Sequence, residues 1–258
     1  MGSPPKVYKT EAIIIRQARL GEADEIITLF TPNLGKLRAV AKGARRPRSK
    51  LGGHLEPLTH SALMLAQGQT LDIITQGQTI NSFMALRQDL WRTTCALYAA
   101  ELVDQFTEER AESYPIYKLL LETLGRLEKE PNPELALRHF ELRLLDVLGY
   151  RPELHTCLRC QKPLEPTTNC FSASGGGVLC PGCSASEPVV RPISVNALKV
   201  LRFLQAQDFP AASRLRLEPE LAIEVESSLR EYIRYLLERE VKSVAFMDRL
   251  RREKASPV

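Results

Sequence analysis

The sequence lacks any apolar run that approaches the ~20 residues needed to cross a bilayer. It also begins without the apolar core of a secretory signal, since the first residues are Met1-Gly2-Ser3-Pro4-Pro5-Lys6. These two absences predict a protein of the reducing cytoplasm that has no membrane partner. A hydrophobic content of 44% over 258 residues is enough to bury a sizeable core in one or two domains.

Recognisable catalytic and nucleotide-binding motifs are also missing. The chain has no Gly-x-Gly-x-x-Gly, no Walker loop and no Gly-x-Ser-x-Gly. Its glycine run at 175–177 lacks the Gly-Lys-Ser/Thr ending of a phosphate loop and predicts a turn. The histidines are scattered without partners at a recognisable spacing, at His54, His60, His139 and His155. We therefore predict a binding protein and not an enzyme, with no catalytic residues.

Cysteine is scarce, with six in the chain, which argues against a disulfide framework. Four of them nevertheless form two Cys-x-x-Cys pairs, Cys157 with Cys160 and Cys180 with Cys183. Each pair aims two sulfurs at one point, and two pairs complete a tetrahedral shell with no open position. The spacing predicts a structural Zn²⁺ site. Cys170 and His155 are weaker alternative ligands because neither has the paired spacing.

Charge is unevenly distributed, although the net charge is only +4. Residues 1–80 hold eleven Lys/Arg against six Asp/Glu, a net of +5, and the remainder holds 24 against 25. The excess positive charge therefore lies in the first third of the chain. This asymmetry predicts that a polyanion is contacted there.

The first eighty residues show the pattern of five short strands. The third has a period of two, with Leu37, Ala39 and Ala41 on one side and basic residues on the other. Five short strands with long loops and no large helix predict a closed barrel of the OB type. The predicted strands span 7–16, 26–30, 36–42, 58–66 and 71–79.

The third predicted strand and the loop after it carry seven basic residues with no acid between them. An arginine fork grips phosphate oxygens in two places, so this stretch is the candidate DNA-binding site. Aromatic residues are few in residues 1–80, at Tyr8 and Phe30. Scarce stacking platforms predict backbone contact by charge, with little sequence preference. The candidate residues are Lys36, Arg38, Lys42, Arg45, Arg46, Arg48 and Lys50.

A helical period begins at Phe83, and the fold class is therefore α+β, with an OB barrel at 1–80 and an all-α domain at 81–258. One helix is predicted from Leu86 to Phe106, with an apolar stripe of Leu86, Leu90, Leu97, Leu102 and Phe106. A second is predicted from the stripe Ile116, Leu119, Leu120, Leu124 and Leu127. A later helix opens at Asn132-Pro133 and stops at Gly149. Two more are predicted, after the Ser194 cap and from Pro219. The zinc segment, 155–188, is an insertion among these helices.

Several motifs taken together resemble the RecO family of bacterial recombination mediators. They span nearly the whole chain and are Gly21-Glu22-Ala23-Asp24, Ala41-Lys42-Gly43-Ala44-Arg45-Arg46 with Ser49, Leu55-Glu56-Pro57, Leu148-Gly149-Tyr150-Arg151-Pro152 and Lys242-Ser243. The resemblance implies binding of single- and double-stranded DNA and annealing of complementary strands. It also implies association with RecR and with the single-stranded-DNA-binding protein, help in loading RecA, and a cytoplasmic location at the nucleoid. Some members of the family lack the cysteine quartet.

Two other functional classes remain open from the sequence alone. The same barrel could serve an RNA-binding factor, a difference that depends on contacts to 2′-hydroxyls. The chain could also be a DNA-modifying enzyme whose site assembles between domains, since catalytic groups can converge from distant positions.

Overall fold

The computed structural model describes residues 6–255 of the chain. The first five residues, on which part of the expectation about a signal segment rests, lie outside the described residues. The chain forms two compact units, one made of Met1–Lys129 with Lys242–Val258 and the other of Glu130–Val241. The first unit continues past residue 80 because the helices at 90–106 and 114–129 pack on the barrel strands, and the short helix at 84–87 packs on those two helices.

Five strands form a closed barrel in the first unit, in the order β1-β2-β3-β5-β4. Neighbouring strands are antiparallel except β3 and β5, which pair in parallel over two residue pairs. This arrangement confirms the predicted OB-type barrel. The strands are β1 (Val7–Leu20), β2 (Asp24–Thr31), β3 (Gly35–Ala41), β4 (His60–Ala66) and β5 (Asp72–Asn81).

Alternation along the strands fills the barrel interior. Leu37, Ala39 and Ala41 of β3 are buried with Ile14 of β1 and Leu65 of β4. This alternation confirms the inward face predicted for β3. The run 12–15 of β1 is buried on both faces, as its β-branched composition predicts.

Three helices follow the barrel in the same unit: α1 (Met84–Arg87), α2 (Leu90–Phe106) and α3 (Tyr114–Lys129). The prediction of one helix from Leu86 to Phe106 is wrong, because the Asp89 carboxylate accepts the amides of Trp91 and Arg92 and caps a new helix. Leu90 and Leu97 of the predicted stripe are exposed, whereas Leu86 and Leu102 are buried as predicted, and Trp91 is buried on α2 as well.

The second unit is mainly helical and carries a small sheet of order β7-β6-β8 in the cysteine segment. As predicted, Asn132 caps its first helix, Gly149 follows that helix with φ +82°, and Ser194 caps a later one. The glycine run lies at the turn between β6 and β7, also as predicted. The elements are α4 (Pro133–Val147), β6 (Asn169–Ser172), β7 (Gly177–Leu179), α5 (Pro181–Ser184), β8 (Arg191–Ile193), α6 (Val195–Ala206), α7 (Phe209–Ala212) and α8 (Pro219–Leu237).

The last helix, α9 (Lys242–Ala255), belongs to the first unit. Both carboxylate oxygens of Glu101 on α2 accept hydrogen bonds from its first amides, those of Lys242 and Ser243, at 2.8 Å. This contact satisfies two donors that a helix N-terminus leaves free. Across residues 6–255, no helix combines the length and the hydropathy that a membrane-spanning segment requires.

Candidate functional site

The loop that follows β3 is held in place by the turn between β1 and β2. The Asp24 carboxylate accepts the amide of Gly43 at 2.7 Å, and the carbonyl of Ala23 accepts the amide of Arg45 at 3.0 Å. Gly43 has φ +65°, a conformation that favours glycine. Two motifs that are distant in sequence, 21–24 and 41–46, therefore form one structural feature.

Successive turns continue the loop to a single 3₁₀ turn at Gly52–His54. The amide of Arg46 donates to the carbonyl of Gly43 at 3.1 Å, and the amide of Ser49 donates to that of Arg46 at 2.9 Å. A loop with its own hydrogen bonds keeps a defined shape, so its side chains project from fixed positions.

Five of the seven candidate DNA-binding residues lie on the segment that directly follows β3, residues 42–50, which we call the basic loop. Their side chains are exposed, and among the described residues none of them forms a salt bridge with a carboxylate. The guanidinium of Arg45 donates to the backbone carbonyl of Glu22 at 3.0 Å, which orients it without neutralising its charge. The five residues are Lys42, Arg45, Arg46, Arg48 and Lys50.

The other two candidates, Lys36 and Arg38, have acidic partners. Lys36 Nζ lies 3.1 Å from Asp104 Oδ1 on α2, and the lysine side chain is 12% exposed. Arg38 Nε lies 2.5 Å from Glu109 Oε1, and both side chains are about half exposed. The structure thus divides the predicted cationic stretch into an open loop and a strand face that already carries counter-charges.

The aromatic side chains of the barrel are occupied in other ways. Phe30 is fully buried, on the face of β2 opposite to Ile27 and Leu29 of the barrel core. The Tyr8 hydroxyl donates to the buried Asp72 carboxylate, and burial together with this bond raises the pKa of Tyr8. Burial acts to raise the pKa of Asp72, but hydrogen bonds from Tyr8, Gly68 and Arg110 outweigh it and lower that pKa below its ordinary value. The buried Phe30 ring offers no stacking platform, and the Tyr8 hydroxyl is bound to Asp72.

The four cysteines of the paired motifs come together in the second unit. Their sulfurs all lie within 4.8 Å of one another, and the sulfurs of Cys160 and Cys180 are 4.0 Å apart. A tetrahedral Zn–S shell with bonds of ~2.3 Å places its sulfurs ~3.8 Å apart, so the cluster fits a metal ion of this type. Cys170 and His155, the weaker alternatives, are not part of the cluster.

Backbone contacts shape the two knuckles and join them. The amide of Gln161 donates to the carbonyl of Cys157 at 2.9 Å, and the amide of Cys183 donates to that of Cys180 at 3.0 Å. The amide of Leu158 donates to the carbonyl of Val178 on β7 at 3.0 Å, which ties the first knuckle to the strand before the second. The small sheet therefore fixes the distance between the cysteine pairs.

The thiols interact strongly. Burial raises the pKa of Cys157, but backbone amides of Cys160, Cys180 and Arg159 outweigh it and bring the pKa to about 6. Hydrogen bonds among the sulfurs, that to Cys180 first, raise the pKa of Cys183 to about 12. Four thiolates at this spacing repel one another unless a cation lies between them, as expected of residues that could hold a divalent metal ion.

The sequence pattern does not reveal the acidic residues that pair with the cations of β3 or hold the basic loop. Asp24, Asp104 and Glu109 control how the cationic side chains are presented, and two of them lie about seventy residues beyond the cations they pair. Their acidic character is visible in the sequence. Their pairing is not, because it depends on how α2 packs on the barrel.

The fold is that of an α+β protein with an N-terminal OB-type barrel followed by helices that carry a four-cysteine cluster. Two family models match it: "Recombination protein O N terminal" over residues 6–83 and "Recombination protein O C terminal" over residues 87–245. The chain therefore belongs to the RecO family.

The similarity to known proteins extends over nearly the full length of this chain. The chain is 48% identical to the DNA repair protein RecO of Roseiflexus sp. (strain RS-1), over 95% of this chain and 87% of that protein. It is 43% identical to the DNA repair protein RecO of Dehalococcoides mccartyi (strain CBDB1), over 96% and 97%. It is 38% identical to the protein of the same name from Symbiobacterium thermophilum, over 95% and 98%. The chain is a DNA repair protein of this family.

Proposed function

We propose that this protein binds single- and double-stranded DNA by its phosphates, through the basic loop. The observation that supports this proposal most strongly is the set of five exposed cations that no carboxylate neutralises among the described residues. Three of the five are arginines, whose planar fork suits phosphate oxygens. The loop is anchored at Asp24 and Ala23, so these side chains are arranged before DNA arrives.

Contact through phosphates gives affinity without sequence preference. It also leaves the base edges of a bound strand free to meet a complement. We infer that the protein anneals complementary strands in this way, and that it does so without nucleotide hydrolysis or covalent change to the DNA. The Phe30 ring is fully buried and the Tyr8 hydroxyl is bound to Asp72, which supports backbone contact over base stacking.

Membership of the RecO family supports the wider role. With RecR, the protein helps to load RecA onto strands coated with the single-stranded-DNA-binding protein, and it acts as a mediator and not as an enzyme. Its place of action is the bacterial cytoplasm, at the nucleoid.

The metal ion of the cysteine cluster is Zn²⁺ in this proposal, and its role is structural. Four thiolates saturate a tetrahedral ion, so no coordination position is left for water or substrate. Cys157, Cys160, Cys180 and Cys183 hold the two knuckles together when the metal is bound. The cluster lies in the second unit, whereas the basic loop lies in the first.

A strand-annealing assay tests the proposed function. Complementary strands coated with the single-stranded-DNA-binding protein are mixed with and without this chain, in the absence of ATP. We expect the chain to accelerate duplex formation and to leave the strands intact. A requirement for ATP, or cleaved strands in proportion to protein, would contradict the mediator proposal. Competition with RNA of the same sequence separates a DNA mediator from an RNA-binding factor, which would prefer the RNA.

A further inference from the structure

An acidic segment covers the strand face that holds Lys36 and Arg38. The segment, here called the strap (104–112), is the last turn of α2 with the loop after it. It contains four acids, Asp104, Glu108, Glu109 and Glu112, and one basic residue, Arg110. Because the strap lies in the same compact unit as the barrel, its contacts with β1 and β3 define one surface.

The cations under the strap form a row across the barrel. Arg16 on β1 and Arg38 on β3 both pair with Thr28 of the intervening strand, so they flank Thr28 from the two neighbouring strands. Lys36 is two residues from Arg38 on the same face. Asp104 reaches Arg16 at 3.8 Å and Lys36 at 3.1 Å, and Glu109 reaches Arg38. The carboxylates of Asp104 and Glu109 therefore occupy the positions beside these cations that the phosphates of a polyanion would otherwise take.

The backbone of the strap is firmly seated. The amide of Arg110 donates to the carbonyl of Lys36 at 2.7 Å, and its guanidinium lies 3.1 Å from the Asp72 carboxylate. A Cβ at Gly35 would lie 2.0 Å from the carbonyl oxygen of Ala111, so a glycine is needed for this close approach. The strap also covers the part of β3 that does not pair with β5. Any exchange of ion pairs on this face therefore involves side chains and not the backbone of the strap.

The two ion pairs differ in how readily they exchange. Lys36 is 12% exposed and donates to both the carboxylate and the carbonyl of Asp104, which marks it as an internal anchor. Arg38 is 49% exposed and Glu109 is 50% exposed, and solvent-exposed pairs of this kind contribute little to stability. A phosphate that arrives from solvent can therefore replace Glu109 on Arg38, but not Asp104 on Lys36.

We propose that Glu109 is a built-in competitor of DNA for Arg38. This inference rests on the proposed function, since it assumes that DNA follows the cationic surface that begins at the basic loop. In the resting protein Glu109 neutralises Arg38 and limits binding to the loop. A strand that is bound at the loop and extends over β3 has to displace the Glu109 carboxylate before a phosphate contacts Arg38, and in most complexes of the unmodified protein Glu109 keeps Arg38. This competition lowers the affinity of the protein for strands that offer few phosphates. Lys36 keeps its ion pair with Asp104 and therefore has a structural role.

The test uses the full-length protein and a fluorescent oligothymidine strand, with affinity measured over a range of salt concentrations. Glu109→Gln keeps the size of the side chain and removes its charge. We expect tighter binding and a slope of log affinity against log salt that is steeper by about 0.7, the value for one additional phosphate contact on a single strand. The double variant Glu109→Gln with Arg38→Ala should return to the slope of the unmodified protein.

Glu112→Gln is the matched control, because it removes one charge from the same strap without freeing a cation. Its slope should equal that of the unmodified protein. If Glu109→Gln and Glu112→Gln behave alike, or if the steeper slope persists after Arg38→Ala, the competitor role is overturned.

Arg45→Ala with Arg46→Ala, measured alongside, separates the two proposals. If Arg45→Ala with Arg46→Ala flattens the slope and Glu109→Gln has no effect, the basic loop binds DNA and only the competitor role of Glu109 is contradicted. If Arg45→Ala with Arg46→Ala has no effect, DNA binding by the basic loop is contradicted. If the protein does not bind the strand at all, both proposals are contradicted.

Discussion

In the part of the chain that the structure describes, the Asp24 carboxylate is the one side chain of the turn between β1 and β2 that accepts a backbone amide at the start of the basic loop. It accepts the amide of Gly43 at the point where β3 ends and the chain turns into the loop. The neighbouring Glu22 contributes its backbone carbonyl to Arg45, whereas its side chain is exposed. Two acids of one turn therefore have different roles, one as an anchor and one as a surface charge.

Asp24→Ala provides the test at the scale of single residues. Removing an acid beside a cationic loop would by itself strengthen DNA binding, because less negative charge opposes the phosphates. We expect weaker binding, since the Gly43 amide loses its acceptor and the loop loses its fixed shape. The loss of one hydrogen bond to a charged group should reduce the free energy of unfolding by about 1.5–3 kcal/mol. Affinity for single-stranded DNA and thermal unfolding measure the two effects.

Glu22→Ala is the control for this change, because it removes the same charge and leaves the backbone contact intact. It should bind DNA as tightly as the unmodified protein or more tightly. If Asp24→Ala also binds more tightly, Asp24 acts through its charge alone and does not position the loop.

At the scale of elements, the cysteine segment and the barrel lie in different compact units. The knuckles are short turns attached to strands of three or four residues, which bury little apolar surface by themselves. A bound metal supplies the missing stabilisation, on the order of 10–16 kcal/mol of apparent binding free energy in zinc-finger peptides. The segment should therefore depend on the metal much more than the barrel does.

Replacing Cys157 and Cys183 by serine tests this dependence. We expect the variant to lose its zinc and to unfold at a lower temperature, because the shell retains one sulfur of each knuckle. Binding of single-stranded DNA below that temperature should be unchanged. Acidification of the unmodified protein should also release the metal, since thiolates must be deprotonated to bind it. Elemental measurements and thermal unfolding report these outcomes, and full-length protein that contains no zinc would contradict the assignment.

The sequence predicts elements well where a strong period or a cap defines them. The outward and inward faces of β3, the Asn132 cap and the Ser194 cap follow from local rules that the packed structure keeps. The break at Asp89 was missed because an apolar stripe continues across it, although Asp is a favoured cap residue. The sheet β6–β8 was also missed, because strands of three or four residues show no period.

The candidate site was predictable in part for the same reason. The cysteine spacing is a local signal, and the four sulfurs lie together as the spacing requires. The basic loop is a continuous stretch of chain and can be found by counting charges. The partners of Lys36 and Arg38 come from a helix and loop about seventy residues later. Such pairings arise from tertiary packing, which no local pattern records.

At the scale of the whole molecule, the charge count of the sequence overstates the positive charge available to a partner. Residues 1–80 carry a net charge of +5, but three of their basic residues, Arg16, Lys36 and Arg38, pair with acids from residues 104–109. The effective cationic surface is therefore concentrated on the basic loop. DNA binding by the whole chain should depend on this loop more strongly than on other exposed arginines.

The salt dependence of DNA binding tests this claim most directly. Each phosphate that a cation neutralises on a single strand contributes about −0.7 to the slope of log affinity against log salt. Arg45→Ala with Arg46→Ala should flatten the slope by roughly 1.4, twice the value for one contact, on strands of unrelated sequence. The fold should be retained, because exposed arginines contribute little to stability.

Arg214→Ala with Arg216→Ala is the matched control. It removes two exposed arginines that lie close together in the sequence, as Arg45 and Arg46 do, but that belong to the second unit. The measurement is the slope for single-stranded DNA in the unmodified protein and in both double variants. We predict a slope flattened by roughly 1.4 for the loop pair and a slope close to that of the unmodified protein for the control pair. An unchanged slope for the loop pair, or an equal loss in the control pair, would contradict the assignment of DNA binding to the basic loop.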